Sequence, residues 1–70
     1  MSTTFGDRLR SAIRYEGYTS LVSFGHQVGL KSPDINRYLN GSRLPGLDLL
    51  ARMLVALPNT DARRLIVGEQ

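Results

Sequence analysis

Apolar residues recur three and four positions apart along most of the chain, and glycine or proline separates the resulting blocks. This spacing places apolar side chains on one face of an α-helix. No segment alternates strictly between apolar and polar residues, as a half-buried strand would. The pattern therefore predicts an all-α fold, a compact bundle of about five short helices with no sheet.

Glycine ends both helices that the pattern predicts for the amino-terminal part of the chain. The first helix follows Thr4, which is spaced to form a capping box with Asp7, and it stops at Gly17. Its apolar face consists of Phe5, Leu9, Ala12 and Ile13. The second helix runs from about Ser20 and stops at Gly29. Its packed face consists of Leu21, Phe24, Gly25 and Val28.

Capping signals place a third predicted helix over residues 32–40. We expect Ser32 to cap this helix, since Pro33 is tolerated in a first turn and Gly41 follows the end. Its apolar face consists of Ile35, Tyr38 and Leu39.

The carboxy-terminal part of the chain contains two more predicted helices. The fourth runs from Leu47 to Leu57, where nine of eleven positions are apolar, and Pro58 ends it. A helix that is apolar nearly all round is buried on several sides, so we expect this one to be the central core helix. The fifth starts at Thr60, with Asp61 in its first turn, and contains the apolar run 65–67.

Composition excludes several classes of protein. The 70 residues suffice for one domain, 1–70, and they include no cysteine and a single histidine, His26. Disulfides, thiol catalysis and a usual zinc site are therefore excluded. The longest uncharged stretch, 17–30, is interrupted by polar residues and cannot span a membrane. Because Asp7 and Arg8 interrupt any signal-peptide core, we expect a cytoplasmic protein.

The stretch from Leu21 to Gly41 has the spacing of a helix-turn-helix, with a turn of Gly29, Leu30 and Lys31. The positions that such a unit buries are all apolar, and they are Phe24, Val28, Leu30, Ile35 and Tyr38. The position where the two helices cross must be small, and it is Gly25. The turn position that needs a left-handed backbone is Gly29.

These residues resemble the helix-turn-helix of the lambda-repressor-like (Cro-type) domains of phage and bacterial regulators, and the resemblance covers nearly the whole chain. The stretch 35–45 resembles the family's link from recognition helix to fourth helix. Leu50, Met53, Leu54 and Leu57 match its core helix. Leu21 replaces a frequent phosphate-binding glutamine, and Leu39 replaces an acidic residue often found before Asn-Gly. The turn before the second helix, through Tyr18 and Thr19, is also one residue longer.

The resemblance implies that the third helix enters the major groove of double-stranded DNA. The expected base contacts are Lys31, Ser32, Pro33, Asn36 and Arg37. Arg37 is the main candidate for specificity, because a guanidinium donates to guanine O6 and N7 together. Lys31 suits a base or a phosphate equally, and Ser32 either contacts a base or only caps its helix. Asn40 and Arg43 correspond to DNA backbone contacts, and backbone amides at residues 32, 34 and 35 add to them.

We expect the remaining polar residues to lie on the surface or in the core rather than to contact DNA bases. The net charge of +3 is a modest excess, so the positions of the charges matter more than their sum. Arg8, Arg10 and Arg14 are expected to form a solvated face on the first helix. We expect His26 to lie exposed and Tyr38 to belong to the core.

The sequence thus predicts a sequence-specific DNA-binding transcriptional regulator, of the repressor type found in phages and prophages. Ser23 and His26 lie three positions apart without an acid to orient the imidazole, and no phosphate-binding glycine loop or carboxylate cluster is present. We therefore expect no enzyme activity, cofactor, metal or small-molecule substrate. Two alternatives stay open. One is the antitoxin of a toxin–antitoxin pair, and the other is a protein-interaction module that docks through the fourth and fifth helices without binding DNA.

A homodimer on DNA is the expected working form. A single recognition helix reads too few base pairs to select one site, and relatives place two half-sites about 34 Å apart. The predicted interface consists of Leu65, Ile66 and Val67, because three consecutive apolar residues cannot all face inward from one short helix. We expect at least one of them to be exposed, beside Leu49 or Val55. The alternative is that all three simply close the base of the core.

Overall fold

The computed structural model describes residues 4–68 and contains, within them, five α-helices and no strand. The helices are α1 (Phe5–Tyr15), α2 (Leu21–Val28), α3 (Ser32–Leu39), α4 (Leu47–Ala56) and α5 (Ala62–Ile66). The predicted all-α fold class is therefore confirmed. Connections are short, as in other small helical proteins.

Local capping residues account for several helix ends. The Thr4 hydroxyl accepts from the Asp7 amide at 3.1 Å, and the Asp7 carboxylate accepts from the Thr4 amide at 3.4 Å. This is the predicted capping box of α1. The Ser20 hydroxyl caps α2 by accepting from the Ser23 amide at 3.2 Å. Gly29 ends α2 with φ 78°, the left-handed conformation that the turn requires.

The predicted cap of α3 and the predicted start of α5 are wrong, whereas α3 starts at Ser32 as predicted. Ser32 does not cap α3, because the amides of Asp34 and Ile35 both donate to the carbonyl of Lys31, at 3.0 and 3.1 Å. Lys31 is therefore the capping position, without a side-chain hydrogen bond, and Ser32 is the first helical residue.

The fifth helix begins two residues later than the predicted start at Thr60. The Asp61 side chain accepts from the Arg63 amide at 2.9 Å and caps α5. The Thr60 amide instead donates to the Leu57 carbonyl at 3.0 Å, in the turn that follows α4.

All five helices contribute to one hydrophobic core. Its buried members are Leu9, Ala12, Ile13, Phe24, Val28, Ile35, Tyr38, Leu39, Leu49, Met53, Leu57 and Leu65. Helix α1 packs against α3 and α5, and α2 packs against α3 and α4. The Cα radius of gyration is 10.9 Å and the largest extent is 29 Å. The predicted apolar faces of the first three helices are buried here, apart from partly buried Phe5 and Leu21.

Two glycines permit close helix contacts around α3. A Cβ atom on Gly6 of α1 would lie 2.0 Å from the carbonyl oxygen of Leu39. A Cβ atom on Gly25 of α2 would lie 2.8 Å from the carbonyl oxygen of Leu30 and 3.3 Å from Cγ1 of Ile35. The distances to the two carbonyl oxygens are too short for a side chain, so α1 and α2 approach the α3 region closely because these residues are glycine.

The fourth helix is less buried than its composition suggests. Of its residues only Leu49 and Met53 are buried, whereas Leu47 is 83% exposed and Val55 is 81% exposed. The expectation of burial on several sides is therefore wrong. Because α4 packs mainly against α2, a face with residues at four-residue spacing, Leu47, Ala51 and Val55, lies exposed in the described structure.

Two polar side chains tie distant parts of the chain to helix carboxyl ends. The Tyr18 hydroxyl donates to the Ala56 carbonyl at 2.7 Å, and its ring packs edge-on against Phe24 with centroids 5.3 Å apart. Arg8 donates from Nε to the Leu65 carbonyl at 2.8 Å and from Nη2 to the Ile66 carbonyl at 3.0 Å. Arg8 therefore stabilises the end of α5, where cations are favoured, rather than forming part of a solvated face.

Candidate nucleic-acid interface

The seven residues predicted to contact DNA all lie exposed. They are Lys31, Ser32, Pro33, Asn36, Arg37, Asn40 and Arg43. We use the name α3 outer surface for the first five, which start just before α3 and continue along its exposed side. The opposite side of the helix holds the buried residues Ile35, Tyr38 and Leu39. The eight residues of α3 are thus divided between core and solvent as a helical period of 3.6 dictates.

The core holds the α3 outer surface in place from both ends. At the start of α3, Ile35 is 1% exposed, and the Leu30 amide donates to the Gly25 carbonyl at 2.8 Å. At the end of α3, the backbone of Leu39 lies against Gly6 of α1. Side chains on a rigid helix are positioned more precisely than those on a loop. The structure therefore presents these side chains on and beside a packed helix rather than on an irregular loop.

Asn40 and Arg43 belong to the turn that follows α3. The side-chain oxygen of Asn40 accepts from the Ser42 amide at 2.9 Å, and Gly41 between them has φ 84°. The Arg43 amide donates to the Arg37 carbonyl at 3.2 Å, so this turn folds back onto the end of α3. The NH₂ group of the Asn40 side chain is a hydrogen-bond donor of the kind that a phosphate oxygen accepts. Both residues stay predicted backbone contacts.

The charge on this part of the chain is mostly positive. Between Gly17 and Leu47 the basic residues are Lys31, Arg37 and Arg43, and Asp34 is the only acidic residue. Oδ1 of Asp34 lies 3.7 Å from Nη1 of Arg37, one helical turn along α3. Sequence reasoning missed this ion pair, although the spacing of three positions is a recognised signal for it.

A shallow groove of about 440 Å³ runs between α2 and the start of α3. It is lined by Leu21, Val22, Gly25, His26, Gly29, Leu30, Lys31 and Ser32. His26 lies exposed there, as predicted. Because Lys31 and Ser32 belong to both features, the groove adjoins the α3 outer surface.

The predicted dimer residues divide between the core and the surface. Leu65 is 2% exposed and packs in the core, so its assignment to an interface is corrected. Ile66 is 45% exposed and Val67 is 63% exposed, which confirms that at least one residue of the run faces solvent. Leu49 is buried, whereas Val55 is exposed. The exposed face of α4 was missed, although its four-residue spacing is visible in the sequence.

Residues 4–68 bring together no metal-binding cluster and contain no helix that could cross a membrane. No group of three or more histidine, aspartate or glutamate residues lies close enough there to hold a metal ion. None of the described helices combines the length and apolar character that crossing a membrane requires. The Ser23 hydroxyl lies 3.2 Å from the Ser20 hydroxyl, within the cap of α2. The Ser23 hydroxyl is therefore within hydrogen-bond distance of the residue that caps α2.

Comparison of the chain with protein-family models, curated proteins and solved structures finds no match. The resemblance to lambda-repressor-like domains therefore stays a prediction. The residues of the α3 outer surface, and their common exposure on one side of α3, are the features that bear on function.

Proposed function

We propose that this chain is a sequence-specific double-stranded DNA-binding protein that regulates transcription in the cytoplasm, as a repressor of phage or prophage type. The observation that carries the proposal is the α3 outer surface. It contains Asn36 and Arg37, two exposed side chains suited to base edges, and the exposed cations Lys31 and Arg43 precede and follow them in the chain. The remaining side of the same helix is buried, so these groups project together from a rigid support.

In this proposal α2 and α3 act as a helix-turn-helix and α3 enters the major groove. The guanidinium of Arg37 donates to guanine O6 and N7, and the amide of Asn36 suits adenine N6 and N7. Lys31, Ser32 and Pro33 meet the bases nearest the start of α3. Asn40 and Arg43 bind phosphates and fix the orientation without reading the sequence. The protein acts by occupying its operator and catalyses no reaction.

Selection from a random pool of duplex DNA tests this function. The purified chain is expected to enrich a short, guanine-containing consensus, which it binds at least about 1,000-fold more tightly than scrambled duplex at equal salt. Enrichment of no sequence, with equal weak binding to every duplex, would contradict specific recognition and leave only electrostatic attraction.

A second copy of the chain completes the site in this account. The largest extent of the described molecule is 29 Å, which is less than the roughly 34 Å between successive major grooves on one side of DNA. One molecule therefore reaches one half-site. Ile66 and Val67, exposed at the end of α5, are the apolar residues that we assign to the contact between copies. So small a contact is expected to form chiefly on DNA.

Ile66→Asp tests this pairing. Because Ile66 is 45% exposed, we expect the variant to fold with a melting temperature near that of the wild type. A charge in the contact should lower two-chain occupancy of the operator by about tenfold or more. Footprinting and stoichiometry on the selected site measure this loss. Val55→Asp, the same kind of change at an exposed position of α4, is the control.

Two results would contradict the assigned contact. One is tight binding of a single short half-site by one chain. The other is loss of pairing in Val55→Asp together with normal pairing in Ile66→Asp, which would transfer the contact to α4.

The exposed face of α4 favours a second candidate function, docking onto another protein. Leu47 and Val55 are both more than four-fifths exposed, at 83% and 81%, and large apolar side chains grouped on one helix face are typical of interaction surfaces. A chain that binds no duplex but co-purifies with a second protein, and loses it in Val55→Asp, would support docking. Such a partner together with operator binding would instead indicate an antitoxin.

A further inference from the structure

The acidic residue Asp34 lies within the surface that we propose binds a polyanion. It is the only carboxylate between Gly17 and Leu47 in the sequence, and its Oδ1 is 3.7 Å from Nη1 of Arg37. Both side chains remain about half exposed, at 45% for Asp34 and 56% for Arg37. An incoming ligand therefore meets the two groups as a pair rather than Arg37 alone.

The ion pair between Asp34 and Arg37 contributes little to stability or to overall affinity for DNA. A solvent-exposed ion pair contributes little to folding, because water screens the attraction and the two side chains lose rotamer freedom. A negative charge near DNA phosphates also weakens overall binding. The remaining consequence of the pair is directional: at 3.7 Å the attraction is too long for a hydrogen bond, but it favours guanidinium orientations that keep Nη1 of Arg37 near Asp34.

We propose that Asp34 is a positioning residue that sets DNA specificity by holding Arg37 for guanine and disfavouring its use on phosphates or other bases. This inference rests on the proposed function. On the correct site, Arg37 donates to guanine O6 and N7 while Nη1 stays beside Asp34. On other sites, Arg37 must leave Asp34 to reach an acceptor, and an unpaired carboxylate then faces the DNA.

Specificity is the difference between the affinity for the correct site and the affinity for other sites, and Asp34 lowers the affinity for other sites. The Asp34 carboxylate lowers the affinity only slightly on the correct site, where Arg37 stays beside it. It lowers the affinity more where Arg37 is drawn away, because the repulsion between Asp34 and nearby phosphates is then no longer offset. The same charge therefore lowers binding to non-operator DNA more than binding to the operator.

A structural role for Asp34 predicts a different outcome. The residue lies in the first turn of α3, which has no side-chain cap, so its charge also favours the amino-terminal end of the helix dipole. Loss of that effect would loosen α3 and weaken binding to every DNA by the same factor. A ratio of affinities cancels such a uniform change and isolates the positioning role.

The test is Asp34→Asn, which removes the charge and keeps the shape of the side chain. Affinity is measured on the selected operator, on the operator altered at the base pair where Arg37→Ala loses preference, and on scrambled duplex. We expect discrimination at that base pair to fall about threefold to tenfold and binding to scrambled duplex to strengthen. In an Arg37→Ala background, Asp34→Asn should no longer change the discrimination, because the two effects are coupled.

Two further variants serve as controls. Asp34→Glu can still pair across one helical turn and is expected to retain most of the discrimination. Asp48→Asn removes the same charge from the first turn of α4, which also has no side-chain cap, and it should leave discrimination unchanged.

Equal scaling of all three affinities by Asp34→Asn would overturn the inference and assign Asp34 to the helix end. A loss of discrimination that persists in the Arg37→Ala background would also overturn it, because Asp34 would then act without Arg37. Both of these outcomes presuppose that the wild-type chain selects an operator. A wild-type chain that selects none contradicts the proposed function itself, and the inference with it.

Discussion

Gly6→Ala is expected to destabilise the protein by about 3 kcal/mol, lowering the melting temperature by about 20 °C. The new methyl group would lie 2.0 Å from the carbonyl oxygen of Leu39 and 2.7 Å from its carbonyl carbon. Both are backbone atoms at the end of α3, so the clash is relieved only if α1 and α3 separate. Alanine ordinarily stabilises a helix by up to about 1 kcal/mol relative to glycine, so the sign of the change is diagnostic.

Gly46→Ala is the matched control, measured in the same thermal melts. A Cβ atom at Gly46 meets nothing within 4 Å, and the residue has an ordinary φ of −72°. Its position as the cap of α4 limits the expected cost to about 1 kcal/mol. A stabilised Gly6→Ala variant would mean that α1 does not cross the end of α3 at this residue. The placement of the α3 outer surface would then be wrong.

Arg37→Ala and Arg43→Ala are expected to weaken DNA binding in different ways. Loss of Arg37 should cost about 1–3 kcal/mol on the selected operator and relax the choice of base at one position. Loss of Arg43 should weaken operator and scrambled duplex about equally and reduce the slope of log affinity against log salt by about one. Titrations of both DNAs at several salt concentrations measure the two patterns.

Arg10→Ala provides the control for charge alone. Arg10 is exposed on α1, outside the surface assigned to DNA, so its loss should change binding only through net charge. If Arg37→Ala lowers operator and scrambled binding by the same factor, Arg37 is a phosphate ligand and the proposed base contact is wrong. If Arg43→Ala changes the preferred sequence, its assignment to the DNA backbone is wrong.

The sequence predicted those parts of the fold that local interactions determine. The capping box of Thr4 and Asp7 and the left-handed Gly29 each depend on residues within one helical turn. Such signals can be read without knowledge of the packing. The division of α3 into buried and exposed sides was predictable in the same way, because the helical spacing of its apolar residues is a local property of the sequence.

Predictions that depended on neighbouring helices were less successful. The number of apolar residues in α4 suggested burial all round, but how much of a helix is covered depends on how many others pack against it. Leu65 and Ile66 are adjacent in sequence, yet one is in the core and the other is exposed. Arg8 was assigned to solvent because its acceptors, the Leu65 and Ile66 carbonyls, are 57 and 58 residues away.

The candidate site shows the same difference between features that local spacing predicts and features that depend on neighbouring groups. Exposure of Lys31, Asn36 and Arg37 was predictable from helical spacing, and the structure places all three at the surface. The pairing of Arg37 with Asp34 depends on side-chain rotamers, which spacing permits but does not determine.

Mapping of backbone amide shifts by NMR, with and without the selected duplex, tests the central claim most directly. We expect the largest shifts at the amides of residues 31, 32 and 34–37, since Pro33 has no amide proton, and smaller shifts at Asn40 and Arg43. We also expect that Ala51 and Val55 on the exposed face of α4 remain unchanged at a ratio of one chain to one half-site. Shifts concentrated on α4, or none on α3 at saturating duplex, would contradict recognition of DNA through the α3 outer surface.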